Sequence, residues 1–226
     1  MKIVTFAVGM DGQLGFLAFQ ESARRFGMDL DILTPAEPIK NAVRERWGWL
    51  ARYLQGLNPS DPVLLIDSRD VVFLRDPRPD LESVLAGCDI VFFSEGQGGA
   101  GHQWCRNQYE RMEQLTGNPF VADVEINGGC ICGRAGALAK MAGQLACMMR
   151  VASRRKSTIS DQPMINLWAR KFCSFKTQII LPDARNIYCH GELVRHGRWP
   201  LEPMGSAIFH QWERTGFKTQ ILELFQ

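Results

Sequence analysis

Pro62-Val63-Leu64-Leu65-Ile66-Asp67-Ser68-Arg69-Asp70-Val71-Val72-Phe73 is the stretch on which the fold turns. Four apolar residues end abruptly in two carboxylates three positions apart, and a second apolar run follows. A short apolar run bounded by turn signals reads as a strand buried on both faces, the kind of strand that parallel sheets contain. Ligands of such sheets collect outside the carboxyl ends of the strands, so Asp67 and Asp70 are expected at the mouth of a cleft. Two like charges held together there need a neutralising partner. A divalent cation bridging to a diphosphate supplies one, because hard cations take carboxylate and phosphate oxygens together. Taken alone, the stretch fits a helix N-cap or an ion pair with Arg69 equally well.

Upstream, Lys2 to Val8 reads as a strand and Leu14 to Phe26 as a helix with Leu14, Leu17, Ala18 and Phe26 on its apolar side. Gly27 supplies the helix stop, and Asp29 to Leu33 a second strand closed by Thr34-Pro35. This β-α-β opening is the usual start of a nucleotide-binding α/β domain. Neither GxGxxG nor GxxxxGK[ST] occurs, so neither a dinucleotide fingerprint nor a P-loop is indicated. Ile39 to Leu57 carries Val43, Trp47, Leu50, Leu54 and Leu57 at helical spacing.

Downstream, Leu81 to Ala86 reads as a short helix and Asp89 to Ser94 as a strand ending at Glu95. Gly96 to Gly101 holds four glycines in six residues and runs on through His102 to Trp104. It is expected to be a loop over the cleft. Val124 to Gly133 is strand-like, interrupted by Asn127-Gly128-Gly129, and glycine inside a strand marks a bulge or a close approach. Ala135 to Val151 is helical, and Ser160-Asp161-Gln162-Pro163 starts another helix with Ser160 or Asp161 as N-cap. Gln178 to Leu181 is a late strand, and residues 182–188 a loop leading from it. The fold class expected is α/β: one domain over residues 1–226, with a mostly parallel central sheet flanked by helices.

Composition narrows the function. With 46% hydrophobic and 22% charged residues the chain is an ordinary globular one, and a formal net charge of +2 gives no case for nucleic acid or a membrane surface. No run approaches the roughly 18 apolar residues of a membrane span. Seven scattered cysteines and no secretory leader at Met1-Lys2-Ile3-Val4-Thr5-Phe6 suggest reduced, mostly buried thiols in a cytoplasmic protein.

Four stretches in one order resemble a known family: Leu65 to Phe73, Glu125 to Gly133, Ser160-Asp161-Gln162, and Ile208-Phe209-His210-Gln211-Trp212-Glu213-Arg214. The set is similar to nucleotide-sugar glycosyltransferases of the GT-A fold, and within them to the glycosyltransferase domain of procollagen lysyl hydroxylases and related bacterial and viral proteins. The resemblance implies that Asp67, Asp70 and His210 hold Mn²⁺ or Mg²⁺ on the diphosphate of a nucleotide-sugar donor, a UDP-sugar. It also implies Lys40 on a phosphate and Asn127 and Gly128 against a sugar, with Asp161 and Gln162 as the catalytic or sugar-binding pair. Val8, Gly9 and Thr34 would form the nucleoside pocket by fold analogy.

The chain departs from the family pattern at three places. Arg69 stands where the collagen-modifying enzymes have a Tyr on the nucleobase; an Arg can stack on a base too. Gly128 replaces a Ser, and Ser160 replaces the first acid of an acidic pair. These changes support an alternative: a catalytically silent relative that binds a nucleotide sugar or carbohydrate. A phosphohydrolase with Asp67 as nucleophile would want a carboxylate at position 69, which is Arg. No Cys pair has a zinc-ligand spacing. The acceptor (glycan, protein, lipid or small molecule) is not legible.

Overall fold

The computed structural model describes residues 1–96, 103–183, 187–190, 205–215 and 218–225. Residues 97–102, the body of the expected loop over the cleft, lie outside the described residues. The elements in order are β1 (Lys2–Phe6), α1 (Leu14–Arg25), β2 (Leu30–Leu33), α2 (Ala42–Gln55), β3 (Pro62–Ile66), β4 (Val71–Phe73), α3 (Arg78–Leu85), β5 (Ile90–Ser94) and α4 (Gln103–Thr116). Then come β6 (Ile126–Arg134), α5 (Ala135–Arg154), α6 (Asp161–Lys171), β7 (Thr177–Ile180), β8 (Tyr188–His190), β9 (Ile208–His210), a 3-10 turn at Trp212–Arg214, and α7 (Lys218–Leu224).

Six strands form the central sheet in the order β2-β1-β3-β6-β5-β7. It is mostly parallel, as expected: β6 alone runs against its neighbours β3 and β5. Because strand side chains alternate, each inner strand feeds two separate cores. Val63 and Leu65 of β3 face one core, with Trp47 and Leu54 of α2 and Leu138 and Leu145 of α5. Leu64 and Ile66 face the other, with Phe16 and Phe19 of α1 and Leu81 of α3. Helices therefore cover both faces. A second, three-stranded sheet ordered β4-β9-β8 packs on the α1 side.

The helix ends follow from their sequences. Asn41 caps α2 by accepting from the Arg44 N–H at 3.1 Å, and the Glu45 carboxylate takes the N–H groups of Lys40 and Asn41, each at 3.0 Å. At the end of α1, Gly27 adopts φ +59°, letting its N–H reach Arg24 O and the Met28 N–H reach Ala23 O.

Four expectations are corrected. Leu14 and Leu17 are 60% and 47% exposed, and α1 buries Phe16, Phe19 and Ala23 instead, because two rings bury more apolar area than two leucines at its rim. Trp104 stands on α4, not in a loop. Tyr188 stands in β8, where parallel pairing with β9 satisfies a backbone expected to be irregular. β1 ends at Phe6, since the next residues turn toward α1, so Val8 is not in a strand.

Candidate functional site

The residues after β3 are fixed from three sides. The Asp67 N–H donates to Gly129 O at 2.7 Å, and the Asp70 carbonyl accepts from the Gln211 N–H at 2.6 Å. Beneath the turn lies Gly15 of α1, where a Cβ would fall 2.0 Å from the Arg69 carbonyl oxygen. Antiparallel pairing of Val71 with His210 then brings the end of β9 to the turn. One ligand atom from each of Asp67, Asp70 and His210 lies within 4.8 Å of the others. His210 Nε2 is 3.3 Å from Asp70 Oδ1 and 3.9 Å from Asp67 Oδ2, while its Nδ1 shares a 3.1 Å hydrogen bond with the Tyr188 hydroxyl. A partner on the second nitrogen fixes the ring with Nε2 toward the carboxylates, as in metal-binding histidines. Burial works against an imidazolium here, yet the Asp70 and Asp67 carboxylates outweigh it and hold the His210 pKa above its ordinary value.

The donor set fits a divalent ion. Two carboxylates and one imidazole suit Mn²⁺, and the backbone leaves the space: a Cβ on Gly129 would stand 2.4 Å from Asp67 Oδ2 and 2.7 Å from His210 Cε1.

Beside this cluster, Arg46 of α2 spans two carboxylates. Its Nη1 lies 2.6 Å from Asp67 Oδ1, and its Nε and Nη2 lie 2.9 and 2.6 Å from Asp161 Oδ2. Nη2 also donates to Gly128 O at 2.9 Å. The same Asp161 oxygen accepts from the Trp47 indole at 2.9 Å. Asp161 is the first residue of α6; Ser160 is its N-cap and makes no side-chain cap bond. Burial opposes the Arg46 charge, but Asp161 and Asp67 more than offset it, so the guanidinium pKa is raised.

Behind the cleft, Glu125 is buried among Tyr109, Gln162 and Asn166, whose groups donate to it at 2.7, 3.1 and 3.2 Å. Burial pushes its pKa up to about 7 against the lowering effect of those hydrogen bonds. Gln162 also accepts from the Gly128 N–H at 3.3 Å. Asn127 folds onto its own strand, accepting from the Gly129 N–H at 2.7 Å, and donates to Glu95 at 2.9 Å. The β5–β6 ladder shifts register opposite this segment, the irregularity that the two glycines announced.

These groups open on one cleft of about 530 Å³. Asp67, Arg69, Asp70, Asn127, Gly128, Asp161, Gln162 and His210 all line it, together with Glu95 and Trp104. Val8, Gly9, Thr34 and Lys40 are not among its lining residues; Phe6, the last residue of β1, and Met10, beyond it, contribute instead. Sequence reasoning missed Arg46, the Trp47 indole, Glu125 and Tyr188. A lone Arg on an otherwise apolar helix face was the available signal for Arg46, since such a charge needs a buried carboxylate. All seven cysteines are unpaired, and five are buried. Among the described residues no helix is long and apolar enough to cross a membrane.

No family model matches the chain, and no curated protein matches it. A solved structure does: the crystal structure of a glycosyltransferase involved in the glycosylation of the major capsid of PBCV-1. The TM-score is 0.58 at 12% identity, covering 99% of this chain and 98% of that one. At that identity the likeness is one of fold, and it runs the length of both chains.

Proposed function

We propose that this chain is a metal-dependent glycosyltransferase that moves a sugar from a nucleoside-diphosphate sugar, a UDP-sugar, to an acceptor hydroxyl. The observation that carries the reading is the meeting of Asp67, Asp70 and His210 at the mouth of a cleft, in a fold shared with a glycosyltransferase. Asp67, Asp70 and His210 would hold Mn²⁺ or Mg²⁺. When bound, the ion stabilises the charge that develops on the departing diphosphate.

The remaining roles belong to the chain. Arg69 lies on the lining with a planar group that stacks on a base. Asn127 and Gly128 face the sugar, their backbone fixed by Gln162 and by the Asn127 turn. Two carboxylates besides the ion's ligands line the cleft: Asp161 and Glu95. Asp161 Oδ2 is taken up by Arg46 and Trp47, so Oδ1, which accepts from the Ser160 hydroxyl at 3.2 Å, is its atom for a sugar or acceptor hydroxyl. Trp104, on the rim, shields that hydroxyl from water.

The engagement of Asp161 favours one second reading: a silent relative that binds the donor and does not turn it over. Thermal shift and calorimetry with UDP, GDP, ADP and CDP, each with and without Mn²⁺, test both. Stabilisation that requires one nucleotide and the metal together, and is lost in Asp70→Ala, supports the donor site. Release of that nucleotide from its sugar conjugates then separates enzyme from binder. Absence of any metal-linked nucleotide binding in the folded protein overturns both.

A further inference from the structure

Asp67 turns its two oxygens to different partners. Oδ2 faces His210, and Oδ1 is held by Arg46 at 2.6 Å. Arg46 is in turn enclosed: 15% of its side chain is exposed, its guanidinium lies 4.9 Å from the Trp47 ring centre, and its nitrogens are engaged by Asp67, Asp161 and Gly128 O. A guanidinium offers donors only and stays charged, so a fixed positive charge sits against one carboxylate of the cation cluster. Arg46 projects from α2 and is held by Asp161 of α6, Gly128 O of β6 and Asp67.

We propose that Arg46 restrains the cation site, so that a free divalent ion binds weakly and is taken up together with a diphosphate. Arg46 shares its one positive charge between Asp161 and Asp67, so part of the charge on Asp67 is already matched, and in a half-buried site the guanidinium also repels a cation directly. A diphosphate restores the missing negative charge, because its oxygens complete the ion's coordination from the open side of the cleft. Ion and diphosphate then strengthen each other's binding, and by linkage they do so by the same factor. This second half rests on the proposed donor reading; the restraint on the free ion does not.

The test is Mn²⁺ titration followed by electron paramagnetic resonance, without nucleotide and then with UDP, on the wild type, Arg46→Met and Arg46→Lys. Circular dichroism melting checks each fold, and Arg46→Gln replaces Arg46→Met if the latter does not fold. Without nucleotide, Arg46→Met is expected to bind Mn²⁺ about tenfold tighter than the wild type, and Arg46→Lys within about twofold of it. The gain is expected to vanish in Arg46→Met combined with Asp70→Ala. Equal or weaker Mn²⁺ binding in folded Arg46→Met overturns the restraint, as does an equal gain in Arg46→Lys or a gain that survives Asp70→Ala. UDP is expected to tighten Mn²⁺ binding in the wild type more than in Arg46→Met. If UDP changes neither while the tenfold gain is present, the coupled uptake and the UDP reading fall together, and the restraint stands.

Discussion

Nε2 of His210 lies 3.3 Å from Oδ1 of Asp70, and the backbone is what puts it there. Val71 and His210 are ladder partners, and the Gln211 N–H closes on the Asp70 carbonyl, so each side chain's origin is pinned by the other's strand. His210→Gln keeps a polar side chain on that ladder and removes the imidazole. A ligand at a hundredfold excess over its Kd stabilises a fold by about 2.7 kcal/mol, several degrees in melting temperature for a domain of this size. His210→Gln is expected to lose that Mn²⁺-plus-UDP rise, measured by melting with and without the pair of ligands.

Gly129→Ala tests the space for the ion. The added Cβ would stand 2.4 Å from Asp67 Oδ2, so the carboxylate must swing away from the cluster. Mn²⁺ affinity is expected to fall at least about tenfold, with a stability loss of about 1–3 kcal/mol from overpacking. At Gly128 the nearest atom to a Cβ is Ile165 Cδ1 at 3.1 Å, so Gly128→Ala is expected to be the milder change. Mn²⁺ titration and urea unfolding of the two variants decide it.

Glu125 gives the protein a stability that depends on pH. Its folded pKa of about 7 stands above the ordinary carboxyl value of 4.5, mainly through burial. Below the ordinary value both folded and unfolded chains carry the proton, and there is no penalty. As pH rises from there toward 7 the unfolded chain ionises first, so stability falls across that window and levels off above it. The loss is on the order of 3 kcal/mol. Glu125→Gln is expected to flatten this slope, gaining on the wild type at pH 8 and not at pH 4. Melting temperature against pH measures it.

Asp161→Ala removes the acceptor shared by Arg46 and Trp47. An almost buried guanidinium is then left with a single carboxylate, and breaking such a pair costs about 3–5 kcal/mol. Asp161→Asn keeps an oxygen for the indole and is expected to lose less. Urea unfolding of both variants gives the comparison.

The central sheet and the cation cluster were legible because their signals are local or ordered along the chain. Buried strands write themselves as apolar runs, and β3 ends in its carboxylates. Positions fixed only by tertiary pairing were not legible. Tyr188 looks like a loop residue until β9 pairs with its strand. Glu125 reads as an ordinary solvent-facing carboxylate until Tyr109, Gln162 and Asn166 enclose it. Arg46 reads as one more helix charge until two distant carboxylates meet it. The burial of Phe16 and Phe19 over Leu14 and Leu17 shows that the apolar face of α1 is chosen by the surface it packs on.

The small sheet gathers β4 from the first third of the chain and β8 and β9 from the last. All six strands of the large sheet are complete by Ile180, before the chain reaches His210. During synthesis the two aspartates and their supporting sheet therefore exist ahead of His210. A chain still lacking β9 has the carboxylates and the cleft wall but no imidazole. On the proposed reading, a bound divalent ion would report the last docking event and distinguish a finished molecule from one whose main sheet alone has folded.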